Sequence, residues 1–285
     1  MINSEIITNK QNQERLLLIQ YAARECFNLA EKVNYWIWIF CFISAILVFV
    51  PDSVPAIIKD GVPLLLDILA FIFSFRFISK LQSAAKLRNY FDSEVLELNR
   101  DSFTASDKQD LNQIALSISR INPQKATKSI HNTGSDIPPG VRNWYEFKAG
   151  VEGLASQYEC QCQNVWWNKE MVKRRLIITP IIFITLLVFY ILIFVLCKTN
   201  LLSVFVCSIG ILIKIIERFI EHYRYHVISI QIETIRKHIE TQLSTKNIEE
   251  LQLLINQRRN IPVLEINFVH RKKAKTLSST YKDIT

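Results

Sequence analysis

Leu176–Cys197, LIITPIIFITLLVFYILIFVLC, runs for 22 residues without a charge. At about 1.5 Å per residue it makes about 33 Å of helix, enough to cross a hydrocarbon core of about 30 Å. This one segment disfavours a soluble fold. Working outward, three more apolar blocks follow the same rule. One runs from about Val33 to Val50 and opens with Tyr35, Trp36 and Trp38. Another runs from about Val62 to Ser79, and the last starts at Leu201 and stays apolar to Ile213. Pro51, Asp52, Pro55, Asp60 and Gly61 mark a short connector inside the first pair, and Lys198, Thr199 and Asn200 one inside the second. Blocks joined so tightly form antiparallel helical hairpins. The expected fold class is therefore all-α: an integral membrane protein with four transmembrane helices in two hairpins and a helical cytoplasmic region.

Charge gives the orientation. The 285-residue chain is 49% hydrophobic, with 34 Lys and Arg against 26 Asp and Glu, a formal net charge of +8. The connectors hold only Lys59 and Lys198, and Arg76, the one further basic residue in a span, reads as an interfacial anchor. All other basic residues lie in three segments, the last counted from Lys214 onward, which the positive-inside rule places in the cytoplasm. The expected division is 1–32, a cytoplasmic N-terminal segment with an amphipathic helix from about Asn12 to Lys32; 33–79, the first hairpin; 80–175, a cytoplasmic helical region; 176–216, the second hairpin; and 217–285, a helical extension with a basic tail. The first span lies too far in, and lacks a small-residue cleavage site, to be a signal peptide. Three of the six cysteines lie in spans and three in cytoplasmic segments, which argues for reduced thiols.

Periodicity extends several helices. Ala84, Leu87, Phe91, Val95 and Leu98 carry the second span's helix on to about Asn99. Ser106 with Gln109 reads as a capping box before Leu111, Ile114, Ile118 and Ile121. Residues 122–140 read as a loop, a further helix starts near Lys148, and the fourth span's helix reaches about Leu243. Glu249 to Asn256 reads as one more short helix.

Polar residues in spans are costly, so their placement carries information. Ser203, Cys207, Gly210, Lys214 and Glu217 form one helical stripe of the fourth span, and Asp67, Ala70 and Ser74 a weaker one of the second. Two readings compete: the stripes line a water-containing pore, or small residues let helices approach closely. Lys214 and Glu217 also fit a snorkelling pair at the inner boundary.

Catalytic and metal chemistry find little support. There is no G-x-G-x-x-G or G-x-x-x-x-G-K-[ST] among only 6 glycines, and no recognisable nucleophile and base arrangement. His222 and His226 are four apart but lack a second box, and Cys160 and Cys162 lack a second pair. No enzyme, metal or cofactor is expected. The densest unusual chemistry is Val141-Arg142-Asn143-Trp144-Tyr145 together with Gln161, Asn164, Trp166 and Trp167. Aromatic faces stack on bases, amides read base edges, and guanidinium pairs with phosphate. Against this, Trp166 and Trp167 fit an interfacial belt, Lys173, Arg174 and Arg175 a positive-inside anchor, and Trp144 and Tyr145 ordinary packing.

Four places together resemble the SMODS-associating four-transmembrane effector family of bacterial anti-phage systems. They are Ala84–Leu98 (AAKLRNYFDSEVLEL), the W-Y step within Arg142–Tyr145, the Gln, Asn and Trp series of Gln161–Arg174, and Leu251–Phe268 (LQLLINQRRNIPVLEINF) with Arg258, Arg259 and Pro262. Asn99-Arg100 stands where the family pattern calls for a Trp, and Asn168 where an acidic residue is common. The resemblance implies a CBASS-type effector of the bacterial inner membrane, with both termini cytoplasmic. A cyclic oligonucleotide second messenger would bind on the cytoplasmic side and turn the spans into a membrane-disrupting pore. The expected ligand residues are Arg142, Trp144, Tyr145, Gln161, Asn164, Trp166 and Trp167. The expected pore residues are Asp67, Ser203, Cys207, Lys214 and Glu217. The expected partners are the messenger, the lipid bilayer and further copies of the chain, with no DNA or RNA duplex. The alternative is a non-catalytic membrane signalling or scaffold protein whose cytoplasmic helices bind a protein partner.

Overall fold

The computed structural model describes residues 2–47, 50, 53–55, 57–146, 150–196, 201–263, 276 and 280. Within these, residues 171, 173–179, 182, 190, 193–194, 196 and 201–207 are described by their backbone alone. The described residues form helices α1 (Ser4–Gln11), α2 (Glu14–Ile46), α3 (Val62–Leu96), α4 (Ala105–Ile121), α5 (Pro123–His131), α6 (Leu154–Leu196), α7 (Leu201–Thr241) and α8 (Thr245–Arg259). A π turn at Ile57–Gly61 leads into α3, and a 3₁₀ turn at Arg100–Ser102 follows it. Among the described residues there is no strand, only two isolated β-bridges.

The chain divides into two units. The first comprises residues 1–28, 81–172 and 225–285, and the second residues 29–80 and 173–224. α2, α3, α6 and α7 contribute residues to both.

The first unit is built like a water-soluble domain. Ile7, Leu16, Ile19, Leu87, Phe91, Val95, Leu111, Tyr145, Cys160 and Ile248 form its main core. Val165, Ile232, Ile239, Leu251 and Ile255 form a second cluster. Helix ends are set by short polar side chains that satisfy orphan amides. Asn3 accepts from the Ile6 amide at 2.8 Å, starting α1, and Ser244 caps α8. α3 stops where Glu97 and Asn99 adopt left-handed backbone conformations, at φ 57 and 51. Glu97 is held there by Lys10 and by Arg100 at 2.8 Å.

Several boundaries differ from the sequence expectation. The capping box of α4 uses Thr104 and Asp107 rather than Ser106 and Gln109. The 122–140 stretch is not all loop: Asn122 caps and Pro123 opens α5. α6 starts at Leu154 rather than near Lys148, which lies outside the described residues, and α8 is longer than the expected short helix.

The second unit inverts the water rule. Phe71, Phe75 and Phe189 are 63%, 60% and 59% exposed. Among the described residues, two helices are long and apolar enough to cross a membrane: α2, and α3 with its leading turn, at mean hydropathy 1.3 and 2.0. Aromatic contacts hold this unit together. Trp38 stacks on Phe183 at 6.0 Å, Phe183 meets Phe219 at 5.7 Å, and Phe40 meets Phe73 edge-on at 5.4 Å. Such pairs contribute about 0.5–1.5 kcal/mol beyond area burial.

Candidate functional site

The 141–146 turn is held by α1, an element the sequence reading left out. Asn12 Nδ2 donates to Asn143 Oδ1 at 2.7 Å, and the Asn143 amide donates to Asn12 Oδ1 at 3.1 Å. Asn143 sits at φ 50, a region Asn tolerates better than most residues. Gln11 then clamps Tyr145 from both sides of its backbone. Its Nε2 donates to the Tyr145 carbonyl at 3.0 Å, and its Oε1 accepts from the Tyr145 amide at 2.7 Å. Gly140 precedes the turn. A Cβ there would overlap the Asn132 carbonyl, so only glycine fits.

Below the turn lies a buried carboxylate, Asp92 of α3, with no exposed surface. The Tyr145 hydroxyl donates to its Oδ1 at 2.6 Å, and Arg259 Nη2 to its Oδ2 at 2.7 Å. Gln252 Nε2 donates to the same Oδ2 at 3.1 Å, and Asn164 Nδ2 to the Tyr145 hydroxyl at 2.8 Å. Gln161 Nε2 extends the network to the Ile248 carbonyl at 2.9 Å and to Gln252 Oε1 at 3.1 Å. A buried charge is tolerated only when paired and hydrogen-bonded in this way. Burial, with the neighbouring Asp92, raises Tyr145 well above the usual tyrosine range, so its hydroxyl stays a donor. The network ties α3, α6, α8 and the 141–146 turn to one point.

Arg88 lies one helical turn before Asp92 and has no such partner. Its guanidinium stands 4.6 Å from the Trp144 ring centre and 5.6 Å from that of Phe27. Among the described residues it has no hydrogen bond and no ion pair. Burial first, then the positive charge of Arg259, pulls its pKa down to about 10, although Asp92 and Tyr145 act in the opposite sense. Arg24 adds a further nearby charge; its own guanidinium is spent on the Pro139 carbonyl at 2.7 Å and on Ser129. A half-buried cation stacked on an aromatic ring, with its donors unused, is chemistry that accepts an anion.

The structure thus sorts the expected ligand residues. Arg142 is exposed and Trp144 half-buried beside Arg88. Tyr145, Gln161 and Asn164 are engaged inside the Asp92 network. Trp166 and Trp167 are half-buried and meet edge-on at 6.1 Å. Arg88, Asp92, Gln252 and Arg259 were not among the expected site residues. Arg88 and Asp92 lie within Ala84–Leu98 and Arg259 within Leu251–Phe268, two of the segments that carry the resemblance.

In the second unit the two polar stripes meet at one place. Asp67 of α3 lies against Gly210 of α7, so closely that a Cβ on residue 210 would overlap its carboxylate. Lys214 pairs with Glu217 at 2.5 Å along α7. The side chains of Ser203 and Cys207 lie outside the described residues. A further charge escaped the sequence reading: Arg218, 5% exposed, donates to Glu221 at 2.6 Å and to Asn34, and covers the Phe77 ring at 5.5 Å. Among the described residues no three His, Cys, Asp or Glu gather in a way that would hold a metal ion.

These features define an all-helical membrane protein, with one unit folded around buried polar groups and another that turns apolar side chains outward. A family model described as the SMODS-associating 4TM effector domain matches residues 5–279, and the chain belongs to that family. The family description couples it to SMODS synthases of cyclic oligonucleotides and to the membrane. No curated protein and no solved structure matches the chain.

Proposed function

We propose that the chain is a non-enzymatic CBASS-type effector of the bacterial inner membrane, gated by a cyclic oligonucleotide. In this reading it spans the membrane four times, with both termini and the first unit cytoplasmic. The messenger stacks a base near Trp144 and sets phosphates against Arg88 and Arg142. Tyr145, Gln161 and Asn164 act as positioning residues through Asp92. Ligand binding then rearranges the spans of several copies into a pore, with Asp67, Ser203, Cys207, Lys214 and Glu217 as its polar lining.

The observation that carries the reading is Arg88 on Trp144: a cation held with unused donors beside an aromatic face, at a cost that a phosphate would relieve. The family supports the class of ligand. The test is a tryptophan-fluorescence titration of the full chain in detergent with a panel of cyclic di- and trinucleotides. One member should quench and saturate. Arg88→Gln and Trp144→Ala should each abolish binding, with the protein still monodisperse, while Trp144→Phe keeps part of it. Saturable binding that survives both of the first two variants puts the pocket elsewhere.

A further inference from the structure

A second cationic place lies in the second unit and is independent of the nucleotide reading. Leu29, Val33, Phe75, Arg76, Ser79 and Lys80 line a groove of ≈ 510 Å³. It sits at the end of the α2–α3 hairpin opposite the connector. Leu29 and Val33 begin the apolar stretch of α2, while Phe75 to Lys80 close that of α3. Leu29, Phe75, Arg76, Ser79 and Lys80 are all exposed.

The lining divides by chemistry. Arg76 and Lys80 are four residues apart on one helix, so their heads share a face about one turn apart. Neither has a carboxylate partner among the described residues; Arg76 has only the Phe73 ring, at 5.8 Å. No carboxylate lines the groove. The remaining walls are apolar except for Ser79. Two unpaired cations at the edge of a hydrocarbon-facing groove fit one amphiphile: an anion on a hydrocarbon chain. A guanidinium holds a phosphate through paired N–H groups, an ammonium adds a point charge, and Leu29, Val33 and Phe75 offer contact to an acyl chain.

We propose that this groove is a binding site for an anionic glycerophospholipid, with the headgroup phosphate on Arg76 and Lys80 and an acyl chain along Leu29, Val33 and Phe75. A zwitterionic lipid is disfavoured because its own cation would meet two others. The occupied site ties the α2–α3 hairpin to the lipid composition of the membrane.

The test is native mass spectrometry of the full chain in detergent, titrated with dioleoylphosphatidylglycerol, dioleoylphosphatidylcholine or inorganic phosphate. Phosphatidylglycerol should bind about 30-fold more tightly than phosphatidylcholine, about fivefold for each basic residue at the surface. Arg76→Gln with Lys80→Gln should erase that preference. Arg76→Lys with Lys80→Arg should retain most of it, and Arg224→Gln, at an exposed arginine on α7, should leave it unchanged. If the double variant is not monodisperse, Lys80→Gln alone should weaken phosphatidylglycerol binding about fivefold. Equal binding of the two lipids, or an undiminished preference in the folded glutamine variants, overturns the proposal. Displacement of phosphatidylglycerol by millimolar phosphate overturns it too, because the site would then take a free anion.

Discussion

The two units differ in what they turn outward and in what holds their helices together. In the first, a carboxylate with no exposed surface is saturated by Tyr145, Gln252 and Arg259. In the second, Phe71, Phe75 and Phe189 are more than half exposed, and ring contacts such as Trp38 on Phe183 and Phe40 on Phe73 join its helices. The same helices, α2, α3, α6 and α7, obey both rules along their length. What changes is the solvent each stretch is written for. Where water is outside, polar groups can be afforded inside only with full partners; where lipid is outside, apolar groups belong on the surface.

Substitutions that move a residue from one rule to the other test this contrast. The largest effect should come from Asp92→Ala, which strands Arg259 and Tyr145 in the first unit. Breaking a buried pair by removing one partner costs about 3–5 kcal/mol, read as a lower thermal-unfolding midpoint in detergent. Asp92→Asn should cost less, because it still accepts hydrogen bonds. An unchanged midpoint for Asp92→Ala would mean the network holds nothing together.

Next comes a matched pair of lysines. Phe71→Lys puts a charge on the outward face of α3 in the second unit and should cost about 2.5–3.5 kcal/mol of membrane insertion. Ile121→Lys, at an exposed residue of the first unit, should stay within about 0.5 kcal/mol. Equal effects of the two would erase the distinction between the units. Gly210→Ala should follow, at about 1–3 kcal/mol, because the added methyl meets Asp67. Its combination with Asp67→Ala should recover part of the loss in the same unfolding assay.

The smallest effect is on pH dependence. Lys86 and Thr104 hold the Asp107 carboxyl down to about 2 in the folded chain. A folded value below the ordinary carboxylate value, about 3.8, means that the stabilisation is present above that pH and is lost as pH falls toward 2. Asp107→Asn should flatten this acid limb of the first unit's stability curve. An unaltered limb would assign acid sensitivity to other carboxylates, such as Glu94, which Lys108 and Arg15 hold low.

The long helices were legible because their signals are local and repeated. Periodicity extends the second span's helix to about Asn99, and it ends at Leu96; it extends the fourth span's helix to about Leu243, and that ends at Thr241. α1 was missed because SEIITNKQ carries no clear apolar period, and its cap, Asn3, was its one strong cue. α5 is hidden by a stretch rich in Ser, Thr, Asn and Pro, although Asn122 before Pro123 is a legible start signal. The α4 cap was misplaced by two residues because Ser106 with Gln109 matched the sequence pattern that Thr104 and Asp107 fulfil in space.

The candidate site was legible only in part, for a physical reason. Arg142, Trp144 and Tyr145 stand out in composition, so they could be found in one dimension. That Trp144 meets Arg88, and that Tyr145 meets Asp92, depends on contacts between segments far apart in the chain, which no local spacing records. The family segments pointed at the same stretches without saying which side chains touch.

The central claim joins the units: a ligand bound by the first changes what the second does to a bilayer. The most direct measurement is dye release from liposomes carrying the purified full chain, challenged with the cyclic oligonucleotide that saturates its fluorescence. The account predicts release on adding that ligand, none without it, and none from Trp144→Ala. Saturable binding with the liposomes left sealed would contradict it, and would make the chain a membrane signalling or scaffold protein instead.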